Sequence, residues 1–144
     1  NEWAGSGRAL IWKMSFDIIQ EHPFFGAGPE NLKEALKQTK NKRSHAYGKL
    51  TGHTVDKAHN DFLHIAAVSG LPALLLYLLF LAFIFKDNIR DIIRANTKSV
   101  IALAVLAYAI QSLFNISVIA VAPLFWVLLG LLASHNDEMW TQEV

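Results

Sequence analysis

The sequence predicts an all-α membrane fold, with three transmembrane helices preceded by an extracytoplasmic helical loop. Three observations carry that expectation. The 144-residue chain is 53% hydrophobic and only 17% charged, against roughly 25% charged in an average soluble domain. Residues 1–60 carry charges throughout, whereas 62–134 are interrupted by a single charged stretch. That stretch, residues 86–98, is rich in Lys and Arg.

The spans follow from the length of uncharged sequence. Residues 65–85 hold no ionisable side chain apart from Tyr77, and 21 residues of helix at about 1.5 Å each reach roughly 30 Å. Gly70 and Pro72 are expected to kink the first third of this span. Residues 99–134 are again free of formal charge, too long for one crossing and right for two. The sequence divides them near Asn115 into spans at about 99–114 and 117–134. The stretch 86–98 holds Lys86, Arg90, Arg94 and Lys98 close to membrane ends, which by the positive-inside rule makes it a cytoplasmic loop. Residues 1–61 are then extracytoplasmic and the tail 135–144 is cytoplasmic. The nine Lys and Arg of residues 1–60 oppose this orientation, but long loops obey the rule weakly.

In the outer segment, residues 7–21 place Leu10, Met14 and Ile18 at i, i+4, i+8, with Ile11 and Ile19 alongside, the pattern of an amphipathic helix. Ser6 is a suitable N-cap and Pro23 ends the segment. Residues 24–29 (FFGAGP) form a turn, after which a helix is expected from Glu30 to about Thr39 with Pro29 at its start. Residues 40–57 lack an apolar period and are expected to form a loop. A further helix should begin at Asn60 or Asp61, capped by one of them, and run into the first span. The outer segment has too few apolar residues for a core of its own. The chain opens at Asn1 with neither an initiator Met nor a leader, so more sequence is expected upstream.

Several function classes lose ground on composition. The absence of cysteine excludes disulfide staples and thiolate metal sites. His45, His53, His59 and His64 fall within 20 residues, but His59 and His64 are five apart and cannot share a metal as an i, i+4 pair does. A zinc-dependent membrane hydrolase is therefore the weakest enzymatic reading, and no metal or cofactor is expected. The glycine pairs Gly5/Gly7 and Gly26/Gly28 lack the preceding strand of a phosphate-binding loop. The run Lys40–Arg43 has the charge to attract phosphates or head groups, and Trp3, Trp12, Trp126 and Trp140 include suitable interfacial anchors.

Two residues stand out chemically. His59 lies about 9 Å of helix before the apolar stretch, the depth at which a lipid diphosphate keeps its phosphates. An imidazole there, with an ordinary pKa of roughly 6.5, is able to take a proton from a sugar hydroxyl. Asp56 and Asp61 flank it. Arg8 sits in the first turn of a helix, against the macrodipole, where a guanidinium suits a bidentate phosphate clamp. On position alone the stronger reading of both is a solvated surface group, with Arg8 snorkelling beside Trp12. The spans offer only Tyr77, Tyr108, Gln111 and Asn115 as notable polar groups, which disfavours ion or proton coupling.

Taken in order, Ser6-Gly7-Arg8 followed by Trp12, then residues 22–29 (HPFFGAGP), then His59-Asn60, then Gly70, resemble the O-antigen ligase/polymerase family over roughly residues 6–134. The family's pattern is His-Asn, nine residues, then Gly-x-x-Gly. Here Asp61–Ser69 supply the nine, and Ala73 stands where the family often has the second Gly.

The resemblance implies a C-terminal piece of a larger polytopic, metal-independent, inverting glycosyltransferase. Such an enzyme moves a glycan from undecaprenyl diphosphate to a glycan or lipid acceptor in cell-surface polysaccharide assembly. Its active site faces outward from the bacterial cytoplasmic membrane, and no nucleic acid is involved. It maps the family's base onto His59 and its diphosphate-binding arginine onto Arg8, with Asn60 a substrate-binding neighbour. The family's other arginine and most of its helices lie upstream, so this segment alone is expected to be inactive. The alternative from another class is a non-catalytic membrane component, a transporter segment or assembly subunit.

Overall fold

The computed structural model describes residues 7–38, 48, 54–94, 97–118 and 120–134. These residues are all-helical: α1 Arg8–Glu21, α2 Leu32–Gln38, α3 Asp61–Ser69, α4 Leu71–Arg94, α5 Thr97–Gln111 and α6 Ala122–Ala133. They divide into two compact units, one of residues 1–77 with 112–116, the other of 78–111 with 117–144.

The first unit is built on the stripe foreseen for α1. Leu10, Ile11, Met14, Ile18 and Ile19 are buried, and they pack with Leu32, Ala35 and Leu36 of α2, with Ala58, and with Ala66, Ala67 and Val68 of α3. Each large aliphatic side chain so buried contributes about 1.5–3 kcal/mol, and Met14, Ile18 and Leu32 are completely enclosed. Ser15 faces the same core and satisfies its hydroxyl locally, donating to the Ile11 carbonyl at 3.0 Å. Helix α1 stops where expected: the His22 amide still bonds to the Ile18 carbonyl, and Pro23 has no N–H with which to continue. The expected cap Ser6 lies outside the described residues, and the N-cap position is Gly7, with φ 73°.

Two expectations for the first unit need correction. Helix α2 does not begin at Glu30. Glu30 adopts a left-handed φ of 55°, and Asn31 turns back on Gly28 and Ala27 through its amide and its side chain. A regular helix therefore starts only at Leu32, and Thr39 lies outside the described residues. At Gly70 the chain breaks rather than kinks. Gly70 has φ 91° and ψ 167°, a region essentially reserved for glycine. The Leu71 amide is diverted to the Pro23 carbonyl at 2.8 Å, so α3 and α4 are separate helices.

In the second unit α5 and α6 pack on each other. Val105 of α5 and Phe125, Leu129 and Leu132 of α6 are buried, the last three at helical spacing. Tyr108 stacks on Phe125 with centroids 4.6 Å apart and shares a hydrogen bond with the Ser117 hydroxyl. A cavity of about 300 Å³ between these helices is lined by Val105, Tyr108, Gln111, Leu124, Phe125 and Leu128 among others. The charged stretch expected as a loop is helical as far as Arg94, and α5 resumes at Thr97.

Among the described residues no helix is long and apolar enough to cross a membrane. The uncharged part of α4 ends at Lys86, short of the roughly 20 apolar residues a hydrocarbon core requires. Much of the apolar surface of these helices is nonetheless uncovered, including Leu76, Phe83, Val100, Leu103 and Leu124. Surfaces of that kind are suited to contact with lipid or with further protein.

Candidate functional site

The site is organised by a turn. Residues 23–28 fold back onto the C-terminal end of α3, where a helix leaves its last carbonyls without intrahelical partners. The Ala27 amide donates to the Ala67 carbonyl at 2.8 Å, the Gly28 amide to Val68 at 2.9 Å, and the Gly70 amide to Ala66 at 3.0 Å. Three terminal carbonyls are thereby satisfied, two of them by a turn some forty residues away in sequence. Backbones can approach this closely only without Cβ atoms. A methyl group on Gly26 would overlap the Val68 carbonyl group, and one on Gly70 would overlap the carbonyl group of Phe24. Gly26 also has φ 65°.

At the opposite end of α3 stand His59 and Asn60. Asn60 is the N-cap, its Oδ1 accepting from the Leu63 amide at 2.9 Å. The Asp61 amide donates to the Ser112 carbonyl at 2.9 Å, and Ala58, just upstream, is fully buried. Between these fixed points His59 is held at φ 53°; it and Glu30 are the two non-glycine positive-φ residues in the described structure. For a residue other than glycine that conformation costs on the order of 1–2 kcal/mol. His59 is partly exposed and so retains access to solvent.

Glu30 and Lys57 join the same corner. The Lys57 ammonium lies 3.9 Å from the Glu30 carboxylate, at the outer limit of an ion pair. His64, one turn along α3 from Asn60, has a buried Nδ1 without a hydrogen-bond partner among the described residues. Burial, and after it the charge of Lys57, lowers its pKa below the ordinary histidine value, while Glu30, Asp61 and Asp56 pull the other way. His45 and His53 lie outside the described residues, and among those described no three His, Asp or Glu side chains form a metal-binding group.

Arg8 is the first residue of α1 and is exposed, with Trp12 one turn on and partly buried. It shares the first packed unit with His59 and Asn60. The turn 23–28 ties the C-terminal end of α1 to that of α3, and Arg8 and His59 stand at the N-terminal ends of the same two helices. No bond among the described residues joins them.

Sequence reasoning named His59, Asn60 and Arg8 but gave no role to Glu30 or Lys57, and treated His64 only as part of a poor zinc pattern. The signals for them were present. His64 falls at i+4 from Asn60, on the same helical face, and Glu30 follows directly on the glycine turn.

A glycine-built joint and a histidine held at positive φ at a helix entry mark the first unit, and the helices of the second leave much apolar surface uncovered: the class is a helical protein with extensive uncovered apolar surface. The family is shown directly. Residues 3–78 match the family model described as O-antigen ligase, and the chain belongs to that family. The matched segment contains the glycine turn, His59-Asn60 and Gly70, and ends within α4, so the family is shown over 3–78 rather than over the wider 6–134. Proteins of this family are membrane proteins with glycosyltransferase-like activity in polysaccharide biosynthesis, acting on lipid-linked glycans. No curated relative and no solved structure matches the chain.

Proposed function

We propose that the complete protein transfers a glycan from undecaprenyl diphosphate to an acceptor hydroxyl, on the outer side of the cytoplasmic membrane, by an inverting reaction that needs no metal. In this reading His59 takes the proton from the acceptor hydroxyl as its oxygen attacks the anomeric carbon. The bond from that carbon to the diphosphate oxygen breaks as the new one forms. Arg8 pairs with the departing diphosphate and stabilises its charge in a water-poor site. Asn60 holds the His59 backbone in place by capping α3 and lies beside the substrate.

The observation that carries the reading is the backbone of His59. A partly exposed imidazole kept in a disfavoured conformation, between a buried alanine and a capped helix, is what a pre-positioned base requires. Membership of the O-antigen ligase family supports the reaction class. The uncovered apolar faces of α4, α5 and α6 support a membrane-embedded region, with the basic stretch 86–98 on its cytoplasmic side.

The test uses the complete protein in lipid, supplied with an undecaprenyl-diphosphate glycan and candidate lipid or glycan acceptors. Wild type should transfer, and His59→Ala should lose on the order of 10²-fold or more while remaining inserted and folded. Equal transfer by the two proteins would remove His59 from the mechanism. Absence of transfer to any acceptor by wild type would favour a non-catalytic membrane component.

A further inference from the structure

The strain at His59 has to be maintained from outside the residue, because a non-glycine backbone at φ 53° persists only where its surroundings fix it. Upstream, Ala58 is fully buried in the core of the first unit. Downstream the chain enters α3, whose buried residues begin only at Ala66, while residues 61–65 are partly exposed. Deep packing therefore does not hold the first turn of α3. The Asn60 cap does not hold it either, since its Oδ1 accepts from Leu63 of the same helix at 2.9 Å and travels with that helix.

A bond from a distant segment does reach this turn. The Asp61 amide, one of the first four that a helix leaves without an intrahelical acceptor, donates to the Ser112 carbonyl at 2.9 Å. Ser112 directly follows α5, is buried, and belongs with residues 113–116 to the same compact unit as His59. Its carbonyl also meets the positive end of the α3 dipole. Buried Ala58 on one side and the Asp61–Ser112 bond on the other thus bracket His59 and Asn60. With both ends set, few backbone dihedrals remain free between them, and His59 is kept in its left-handed conformation.

We propose that the segment 112–116 positions His59: the Ser112 carbonyl holds the start of α3, and through it the direction of the His59 imidazole, without touching substrate. The inference rests on the reading of His59 as the base of the transfer reaction. Ser112 and the Asp61 amide are positioning groups in this assignment, and no proton passes through them.

The test removes one N–H from the complete protein in lipid nanodiscs. Asp61→Ala is compared with the same substitution carried on a backbone ester, its α-hydroxy analogue, in which an oxygen replaces the amide N–H. Whatever the Asp61 carboxylate contributes is lost equally from both. In histidine-labelled protein the His59 ring resonances, identified by their disappearance in His59→Ala, should shift or broaden in the ester protein relative to Asp61→Ala. Identical His59 resonances in the two overturn the proposal. This readout needs no turnover: a wild type that transfers nothing would remove the reaction and leave the positioning of His59 to be decided by its ring.

Transfer kinetics supply the second readout. The ester should lower kcat about 10-fold relative to Asp61→Ala, with the acceptor KM nearly unchanged. That loss should vanish in the His59→Ala background, where no imidazole is left to misplace. A rise in KM alone, or an equal fractional loss in the His59→Ala background, overturns the proposal, since the bond would then serve something other than His59. Should the ester protein fail to fold, Asp61→Pro takes its place against the same reference. Proline suits the first helical position, and Asn60 already has the extended backbone, φ -161° and ψ 113°, that a residue before proline adopts. Failure of both to fold would make the bond a part of the fold alone and likewise overturn the proposal.

Discussion

Gly70 lies so close to Phe24 that a methyl group on its Cα would overlap the Phe24 carbonyl. The family's glycine after nine residues is thus a matter of backbone contact between two segments that are distant in sequence. It also has a backbone geometry essentially closed to other residues, with φ 91° and ψ 167°.

Gly70→Ala should therefore destabilise the complete protein by about 2–5 kcal/mol, combining left-handed strain with overpacking against backbone. Gly26→Ala should behave alike, since its new methyl would overlap the Val68 carbonyl group. Gly130, with nothing within 4 Å of an added Cβ, is the control, and Gly130→Ala should be tolerated. Thermal unfolding in lipid checks all three. A Gly70→Ala protein as stable as the Gly130→Ala control would mean the joint is not tight.

His59→Gly should separate stability from activity. Removing the Cβ relieves the positive φ and should stabilise the protein by about 1 kcal/mol. Transfer should fall as far as in His59→Ala. A less stable His59→Gly protein would show that the ring contributes packing that outweighs its backbone strain.

Asn60 has two roles that substitution can divide. Asn60→Ala removes the cap on the Leu63 amide and should cost about 0.5–2 kcal/mol, whereas Asn60→Ser keeps it. If Asn60 also touches substrate, the serine variant should retain stability and lose transfer. Full transfer by Asn60→Ser would leave Asn60 with the capping role alone.

The pH dependence follows from His64, which lies just outside the proposed first span. Burial first, and Lys57 second, lower its folded pKa, so the unfolded chain takes up the proton more readily. The neutral ring's contribution to stability is complete above the unfolded value of about 6.5. It is lost as pH falls through the lowered folded value. Stability of the wild type should therefore drop more steeply than that of His64→Gln on acidification from about pH 7 to pH 5. Parallel pH profiles would show that His64 takes up its proton alike in both states.

The residues legible in the sequence were those that obey local rules. The α1 stripe of Leu10, Met14 and Ile18 follows helical periodicity, Pro23 ends a helix wherever it falls, and Asn60 caps by type and position. What escaped was set by long-range contact. Glu30 has no local reason to adopt φ 55°; it does so where the glycine turn delivers the chain into α2. Gly70 reads locally as a kink, and becomes a break only because Pro23, nearly fifty positions upstream, captures the Leu71 amide. His59 was recognisable from its motif, but its strain was not, since its φ is set by the buried Ala58 on one side and the capped start of α3 on the other. Glu30, Lys57 and His64 meet only through the packing of the first unit.

The joint between turn and α3 also determines where this protein is free to vary. Its two halves, Ala27 and Ala67, are 40 positions apart, and the bonds between them are made by backbone, so they do not record which side chains lie on the intervening chain. Doubling the length of that excursion would add only about 0.6 kcal/mol of closure entropy. That excursion itself carries Leu32, Leu36 and Ala58 of the core and the His59-Asn60 pair, so the frame admits added length only between these fixed points and not across them.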